Sequence, residues 1–219
     1  MNQYIAYGGG VGSTTLILKN LKKVQLGELE VIFVNHGSDL PETYEYIKTI
    51  QNDLDINITI RTPDNLFDYC WQHKILPSIH WRWCTDKFKI RPLKKYAGND
   101  IPIIGLSWDE RWRARDFQIN EKSNFPLITQ EITKRKALKE FKDVKIPCKS
   151  GCFFCPFQKK EVWRQLFFNY PYLFLKAMLL EDRVRERNSN IWLYQGLLKN
   201  LYREFREQQE LRQKAGEQG

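Results

Sequence analysis

The sequence predicts an α/β protein on an open, mainly parallel sheet, and three observations carry that prediction. A short β-prone run, Tyr4–Tyr7, enters four glycines in five positions (Gly8, Gly9, Gly10 and Gly12), and Ser13-Thr14 then opens an apolar-periodic helix from Leu16 to Leu21. Leu29–Val34 is a near-continuous apolar run of strand length, as expected of a strand covered on both faces. Ile56–Ile60 alternates as a third strand, after a helix that Pro41 and Glu42 start and that ends near Leu54. Strand, helix, strand, helix, strand is the pattern of an open parallel sheet, whose ligands lie at the carboxyl ends of the strands.

The glycine stretch has the makings of an anion cradle. Glycine tolerates positive φ and lets backbone amides close on an oxyanion, while the following helix N-terminus adds partial positive charge. Ser13 and Thr14 suit both helix capping and a phosphate oxygen. The same stretch also reads as a plain connecting turn. No Gly-Lys-Ser/Thr follows, which excludes a kinase-type P-loop, and no register gives G-x-G-x-x-G. Asn35, His36 and Gly37 fall at the end of the second strand, where His36 reads either as a contact to a base or ribose or as a surface histidine. The helix after them carries Tyr44, Ile47 and Ile50 on one stripe.

Residues 67–83 read as aromatic and irregular, and Cys84–Leu93 as a helix start followed by a basic segment. Ile101–Leu106 is a fourth strand with a polar tail through Asp109, Glu110, Arg113 and Arg115. Three loops at one sheet edge thus offer glycine amides, a carboxylate pair and arginines, a combination that suits a nucleotide with its phosphates. Phe125–Ile128 reads as short and extended, Thr133–Phe141 as a basic helix, and Glu161–Leu180 as an aromatic helix interrupted near Asn169-Tyr170-Pro171. Ile191–Lys214 begins amphipathic and fades into charge, and Ala215–Gly219 is expected to fray. The domain division expected is 1–128, the nucleotide-binding part, and 129–219, a cysteine segment and helical extension packed on it.

Hydrophobic residues at 42% and aromatics at 14% exclude a disordered chain. No apolar run approaches ~18 residues, so no membrane span is expected. Met1 leads straight into a strand without a basic and then apolar leader, from which a cytoplasmic protein is expected. In that compartment five cysteines are not expected to form structural disulfides, and Cys148, Cys152 and Cys155 within eight residues point to metal or redox chemistry. A net charge of +9 favours a polyanionic partner or an anionic substrate, although a lysine-rich surface is also simply a soluble one. The aromatic and basic stretch from Trp163 to Arg206 reads either as core packing with a solvated face or as a surface for nucleic acid.

Taken in order, these stretches resemble the phosphoadenosine-phosphosulfate reductase family within the adenine nucleotide α-hydrolase, or PP-loop ATP pyrophosphatase, superfamily. Its loop reads roughly S-G-G-x-D-S-T, and Gly8-Gly9-Gly10-Val11-Gly12-Ser13-Thr14 occupies that register. Its D-T-G and P-E-T appear as Asn35-His36-Gly37 and Pro41-Glu42-Thr43. Its C-T-x-x-x-K-x-x-P appears as Cys84-Thr85-Asp86-Lys87-Phe88-Lys89-Ile90-Arg91-Pro92. The fourth strand and its tail match from Gly105 to Arg115. Phe125–Ile128 and Gly151–Phe157 are similar to the cysteine-bearing branch often carried by phages and mobile elements. The likeness runs from about Gln3 to Gln158 and implies a Rossmann-like, adenine nucleotide α-hydrolase-like sheet with a helical, cysteine-bearing C-terminal part. It also implies that Tyr7, Gly8, Gly9, Gly10, Val11, Gly12, Ser13, Thr14, Asn35, His36 and Gly37 bind ATP or another adenine nucleotide. Lys87, Lys89, Arg113 and Arg115 would balance charge during catalysis.

The sequence departs from the family pattern at Gly8, where Ser is usual, and at Gly12 and Asn35, where Asp is usual. Two lost carboxylates weaken Mg²⁺ binding, because hard cations want anionic oxygens. The C-terminus lacks the redox cysteine tail of a true phosphosulfate reductase. For the metal, Cys148, Cys152 and Cys155 need a fourth ligand, and the resemblance favours Cys84 over Cys70. Four thiolates suit a 4Fe-4S cluster or zinc, and the resemblance leans to iron–sulfur. Trp81, Trp83, Phe153, Phe154 and Phe157 would form a shell keeping water from it. Alternatively Cys84 is a sulfur carrier, its thiolate favoured by Lys87 and Lys89. His73 and His80 have no ligand-spaced partner and read as structural.

The function expected from the resemblance is an ATP-using transferase that adenylates a substrate, tRNA or DNA among the candidates, before sulfur transfer. Two alternatives stand beside it: a non-catalytic, nucleotide-binding cluster module that acts with a partner, and a sulfonucleotide reductase using an external thiol. A homo-oligomer is compatible with either.

Overall fold

The computed structural model describes residues 2–117, 119, 121–147 and 150–216. Along the chain run β1 (Gln3–Tyr7), α1 (Val11–Lys19), α2 (Leu21–Gln25), β2 (Glu30–Val34), α3 (Pro41–Asp53), β3 (Thr59–Arg61), α4 (Leu66–His73), α5 (Trp83–Thr85), α6 (Arg91–Ala97), β4 (Ile101–Ile104), α7 (Pro126–Thr129), α8 (Lys134–Ala137), α9 (Lys160–Asn169), α10 (Pro171–Arg185) and α11 (Leu198–Gly216). A π-helical turn, Asp86–Ile90, joins α5 to α6, and 3₁₀ turns cover Trp108–Phe117 and Leu138–Glu140. Contacts divide the chain into two units, Met1–Asn65 with Cys84–Gly151, and Leu66–Trp83 with Cys152–Gly219. The division differs from the one expected at residue 128: the chain enters the second unit early, leaves it, and returns after Gly151.

The first unit is an α/β fold on a four-stranded, all-parallel sheet in the order β3-β2-β1-β4. Side chains alternate across the sheet, so β1, β2 and β4 each feed two apolar layers. Ile5, Tyr7, Val31, Phe33 and Ile103 pack on one face with Leu16 and Ile17 of α1 and Ile47 and Ile50 of α3. Tyr4, Ile32, Val34 and Ile104 pack on the other with Leu93 of α6 and Ile90. Burial on both faces is why Val31–Val34 is continuously apolar, while Glu30 at the strand start is exposed. Ile56 and Ile58 are buried in the first layer, but the ladder begins only at Thr59. Their alternation records packing just ahead of the strand.

Phe125–Ile128, expected to be extended, instead leads into α7. Pro126 sits in the first turn, where its missing N–H costs nothing, and the Ile128 and Thr129 amides both reach the Phe125 carbonyl at 3.0 Å. So short an apolar run fits either conformation. The basic helix expected over Thr133–Phe141 is α8 with the 3₁₀ turn after it, and the Thr133 hydroxyl caps it by accepting the Lys136 amide at 3.2 Å.

In the second unit, part of the stretch expected to be irregular is α4, with Leu66, Phe67 and Cys70 as its buried stripe. The Phe67 ring meets those of Phe153 and Phe154 at 5.7 and 5.8 Å. The aromatic helix breaks where expected: α9 ends at Asn169 and α10 restarts with Pro171 in its first turn. Trp163, Phe167, Phe174 and Phe205 form a core of mainly edge-to-face rings. Beneath it Glu181 is fully buried, and its two carboxylate oxygens accept the amides of Leu193 and Leu198 at 2.7 Å each. Leu198 begins α11, so a carboxylate from α10 caps the last helix. Of the tail expected to fray, 215 and 216 belong to α11 and 217–219 lie outside the described residues. Among the described residues no helix is long and apolar enough to cross a membrane.

Candidate nucleotide site and cysteine turn

Strand order makes β1 and β4 the neighbours between which the connections reverse, and ligands of open parallel sheets lie at the carboxyl ends of such a pair. The glycine loop leaves β1 there, and Gly105 leaves β4 beside it. Gly10 enters α1 in extended conformation without a side-chain cap. The first-turn amides of a helix have no intrahelical partner, which makes those of α1 candidates to receive an anion. The Ser13 hydroxyl holds the loop closed, accepting the Gly8 amide at 3.3 Å and donating to the Gly10 carbonyl at 3.2 Å. Gly9 has φ +67°, and a Cβ there would also press on Thr43 at 2.9 Å. Tyr7 and Thr14 are buried with their hydroxyls 3.3 Å apart. Burial pushes the Tyr7 phenol up, more than the Thr14 hydrogen bond pulls it down, and it stays neutral.

The departures from the family pattern now have different physical standing. A Cβ on Gly8 would meet nothing, so a larger residue fits there. A Cβ on Gly12 would lie 1.9 Å from the Gly105 carbonyl oxygen, and one on Gly105 would lie 2.4 Å from the Ser13 nitrogen. Here the backbones of the α1 start and the β4 end touch directly, and neither position has room for a side chain. Asn35 is engaged differently: its Oδ1 accepts the Gly37 amide at 2.9 Å and the Tyr44 hydroxyl at 3.0 Å, shaping the loop after β2.

That loop carries a carboxylate that sequence reading passed over. Asp39 is 5% exposed and His36 1%. His36 Nε2 lies 3.3 Å from Asp39 Oδ2, and Lys89 Nζ lies 3.8 Å from Oδ1. Burial pushes the Asp39 carboxyl up, but Lys89 and His36 together outweigh it and hold the group below the usual carboxylate range. The i,i+3 spacing of His36 and Asp39 was the available signal. Lys89 arrives from the π-helical turn, which no local pattern announces.

Of the other candidates, Lys87 is half-buried in the same turn and Arg115 is exposed. Arg113 pairs with Glu110, and Asp109 accepts the Lys134 amide at 2.6 Å. The carboxylate pair of that tail therefore serves the 3₁₀ segment and the start of α8.

Cys84 belongs to the first unit, Cys152 and Cys155 to the second, and Cys148 lies outside the described residues. Among the described cysteines none is disulfide-bonded. Cys152 and Cys155 share a tight turn: the Cys155 amide reaches the Cys152 carbonyl at 3.2 Å, and Gln158 secures both residues through its side chain (2.6 Å) and amide (3.1 Å). Two thiols on one braced turn are the donor chemistry a thiolate-held metal requires. The aromatic shell expected around them is only partly a shell. Phe153 and Phe154 are buried and Trp83 half-buried, but Phe157 is 43% and Trp81 73% exposed.

Residues 3–144 match the phosphoadenosine phosphosulfate reductase domain. The match takes in the glycine loop and Cys84 and ends before Cys148. The chain is also similar to an uncharacterized protein of Methanocaldococcus jannaschii, with 26% identity over 187 residues, 77% of this chain and 44% of that protein. A second uncharacterized protein of the same organism is 26% identical over 104 residues, 48% of this chain and 21% of that protein. The chain spans less than half the length of either relative.

Proposed function

The chain belongs to the phosphoadenosine phosphosulfate reductase family, and from that premise we propose that it is an ATP-using transferase acting ahead of sulfur transfer. The nucleotide rests its phosphates on the amides of the glycine loop and the first turn of α1. An acceptor oxygen attacks the α-phosphorus, the bond to the β-phosphate oxygen breaks, and pyrophosphate leaves. A sulfur nucleophile then displaces AMP from the adenylated acceptor. Lys87, Lys89, Arg113 and Arg115 balance the charge that develops. The observation that carries this reading is the uncapped, glycine-built helix start at the reversal between β1 and β4.

The test is pyrophosphate release from ATP and Mg²⁺ in the presence of tRNA or DNA, with ATP affinity measured alongside. Arg115 is exposed, so Arg115→Gln is expected to lower turnover about 10²-fold while leaving the melting temperature where it was. Unchanged turnover in that variant removes Arg115 from the mechanism. A second reading, a module that binds nucleotide without cleaving it, is favoured by the Gly12–Gly105 contact and the engaged Asn35, which leave neither usual carboxylate for Mg²⁺. Tight ATP binding with no pyrophosphate from any acceptor selects it.

We further propose that Cys152 and Cys155, with Cys148 and Cys84 completing the set as the resemblance implies, hold a 4Fe-4S cluster or a zinc ion. Bound there, a cluster would supply an electron-rich centre able to hold or deliver sulfur. Protein purified without oxygen is expected to contain iron and acid-labile sulfide, and Cys152→Ser or Cys155→Ser to lose both. Stoichiometric zinc without sulfide selects the zinc site instead.

A further inference from the structure

We propose that Trp81, Arg82 and Phe157 of the second unit form a stacking platform for an unpaired base of single-stranded nucleic acid, with Lys159 placed for its phosphate. This deepens the reading above by naming the acceptor class, and rests on it only for the chemistry that follows binding. Trp81 and Phe157 are large rings left in solvent. The Arg82 guanidinium stands 4.6 Å over the Phe157 ring as a cation–π pair, and Arg82 follows the exposed Trp81 directly in sequence. Two residues beyond Phe157, Lys159 is exposed.

Charge decides the occupant. Within the second unit neither 69–83 nor 152–160 contains an aspartate or glutamate, and these segments carry Arg82 and Lys159 together with Lys74 and Lys160, the last two paired with Glu186 and Glu204. An apolar protein partner would need no such exclusion of carboxylates, whereas a polyanion does. Large exposed rings, one of them paired with a guanidinium, suit bases that have left a duplex, since every base has a face to stack. Phe157 follows Cys155 by two residues, so a base held on this platform lies next to the turn that carries two thiols.

The experiment is fluorescence anisotropy of labelled oligouridine, oligodeoxyuridine and a matched duplex against the native chain, Trp81→Ala, Phe157→Ala and Lys159→Gln. ATP affinity and melting temperature are measured on each. The expected results are single strands bound in preference to duplex and about tenfold weaker binding for each aromatic variant. The salt dependence is expected to flatten by about 0.7 in log–log slope for Lys159→Gln. ATP affinity and melting temperature should be unmoved. A clear preference between the two oligonucleotides names the sugar. Aromatic variants that bind like the native chain, duplex bound as tightly as single strand, or no oligonucleotide bound at low salt would each overturn the platform, the last leaving the patch to a protein. Loss of ATP binding in the native chain with oligonucleotide binding intact would instead sink the nucleotide reading and leave the platform standing.

Discussion

Gly12→Asp, the substitution that restores the carboxylate usual in this loop, is expected to unfold the first unit more easily and to bring no magnesium-dependent activity. The new Cβ would sit 1.9 Å from the Gly105 carbonyl oxygen, which is main chain and cannot swing aside. Overpacking a well-filled interior costs about 1–3 kcal/mol. Backbone against backbone belongs at or beyond the upper end, so about 3 kcal/mol is expected, roughly 6–12 °C in melting temperature for a chain of this length. Gly105→Ala should behave the same way, because its Cβ meets the Ser13 nitrogen from the other side of the same contact. In contrast, Gly8→Ser should be tolerated. Thermal unfolding of the three variants checks this, and a Gly12→Asp chain that melts like the native one and turns over ATP faster would show that the contact yields.

Glu181→Ala is expected to be the most damaging change in the second unit. It strips the acceptor from two buried amides, Leu193 and Leu198, each worth about 1–3 kcal/mol when left unsatisfied, and opens a void among α10, α11 and the segment between them. A loss of about 3–5 kcal/mol follows, seen as faster hydrogen exchange from 193 to 198 before the rest of the unit. The carboxyl also has a pH signature. Burial raises it above the ordinary glutamate range, more than the two amide bonds lower it. The folded chain therefore holds this proton more tightly than the unfolded one, and the contribution present below the ordinary value is lost as pH rises through the raised one. Relative to Glu181→Gln, which does not titrate, the native chain should gain stability as pH falls from neutral toward the ordinary glutamate range. A pH-independent difference between the two would place the carboxyl in water.

What was legible in the sequence was whatever a short window can hold. The doubly covered strands, the glycine turn, the helix that Pro41 starts and the break at Pro171 are all local patterns, and the structure has them. α4 was not legible, because its buried stripe of Leu66, Phe67 and Cys70 is too brief to establish a period amid so many aromatics. In the candidate site the loop itself could be read, but two of its constraints come from far along the chain. Gly12 reads as a lost carboxylate until Gly105 is beside it, and Asp39 reads as a loop residue until Lys89 and His36 reach it.

The order in which the second unit's parts are made has a consequence for biogenesis. α4 leaves the ribosome early, yet the rings that cover Phe67 belong to Phe153 and Phe154. At roughly 5–20 residues per second, the roughly 80 residues between them keep that greasy stripe waiting for roughly 4–16 seconds, while the sheet is already being completed. Nascent chains of this protein should therefore lean on a chaperone at one definite length, and any fragment ended where the family match ends would never outgrow the need.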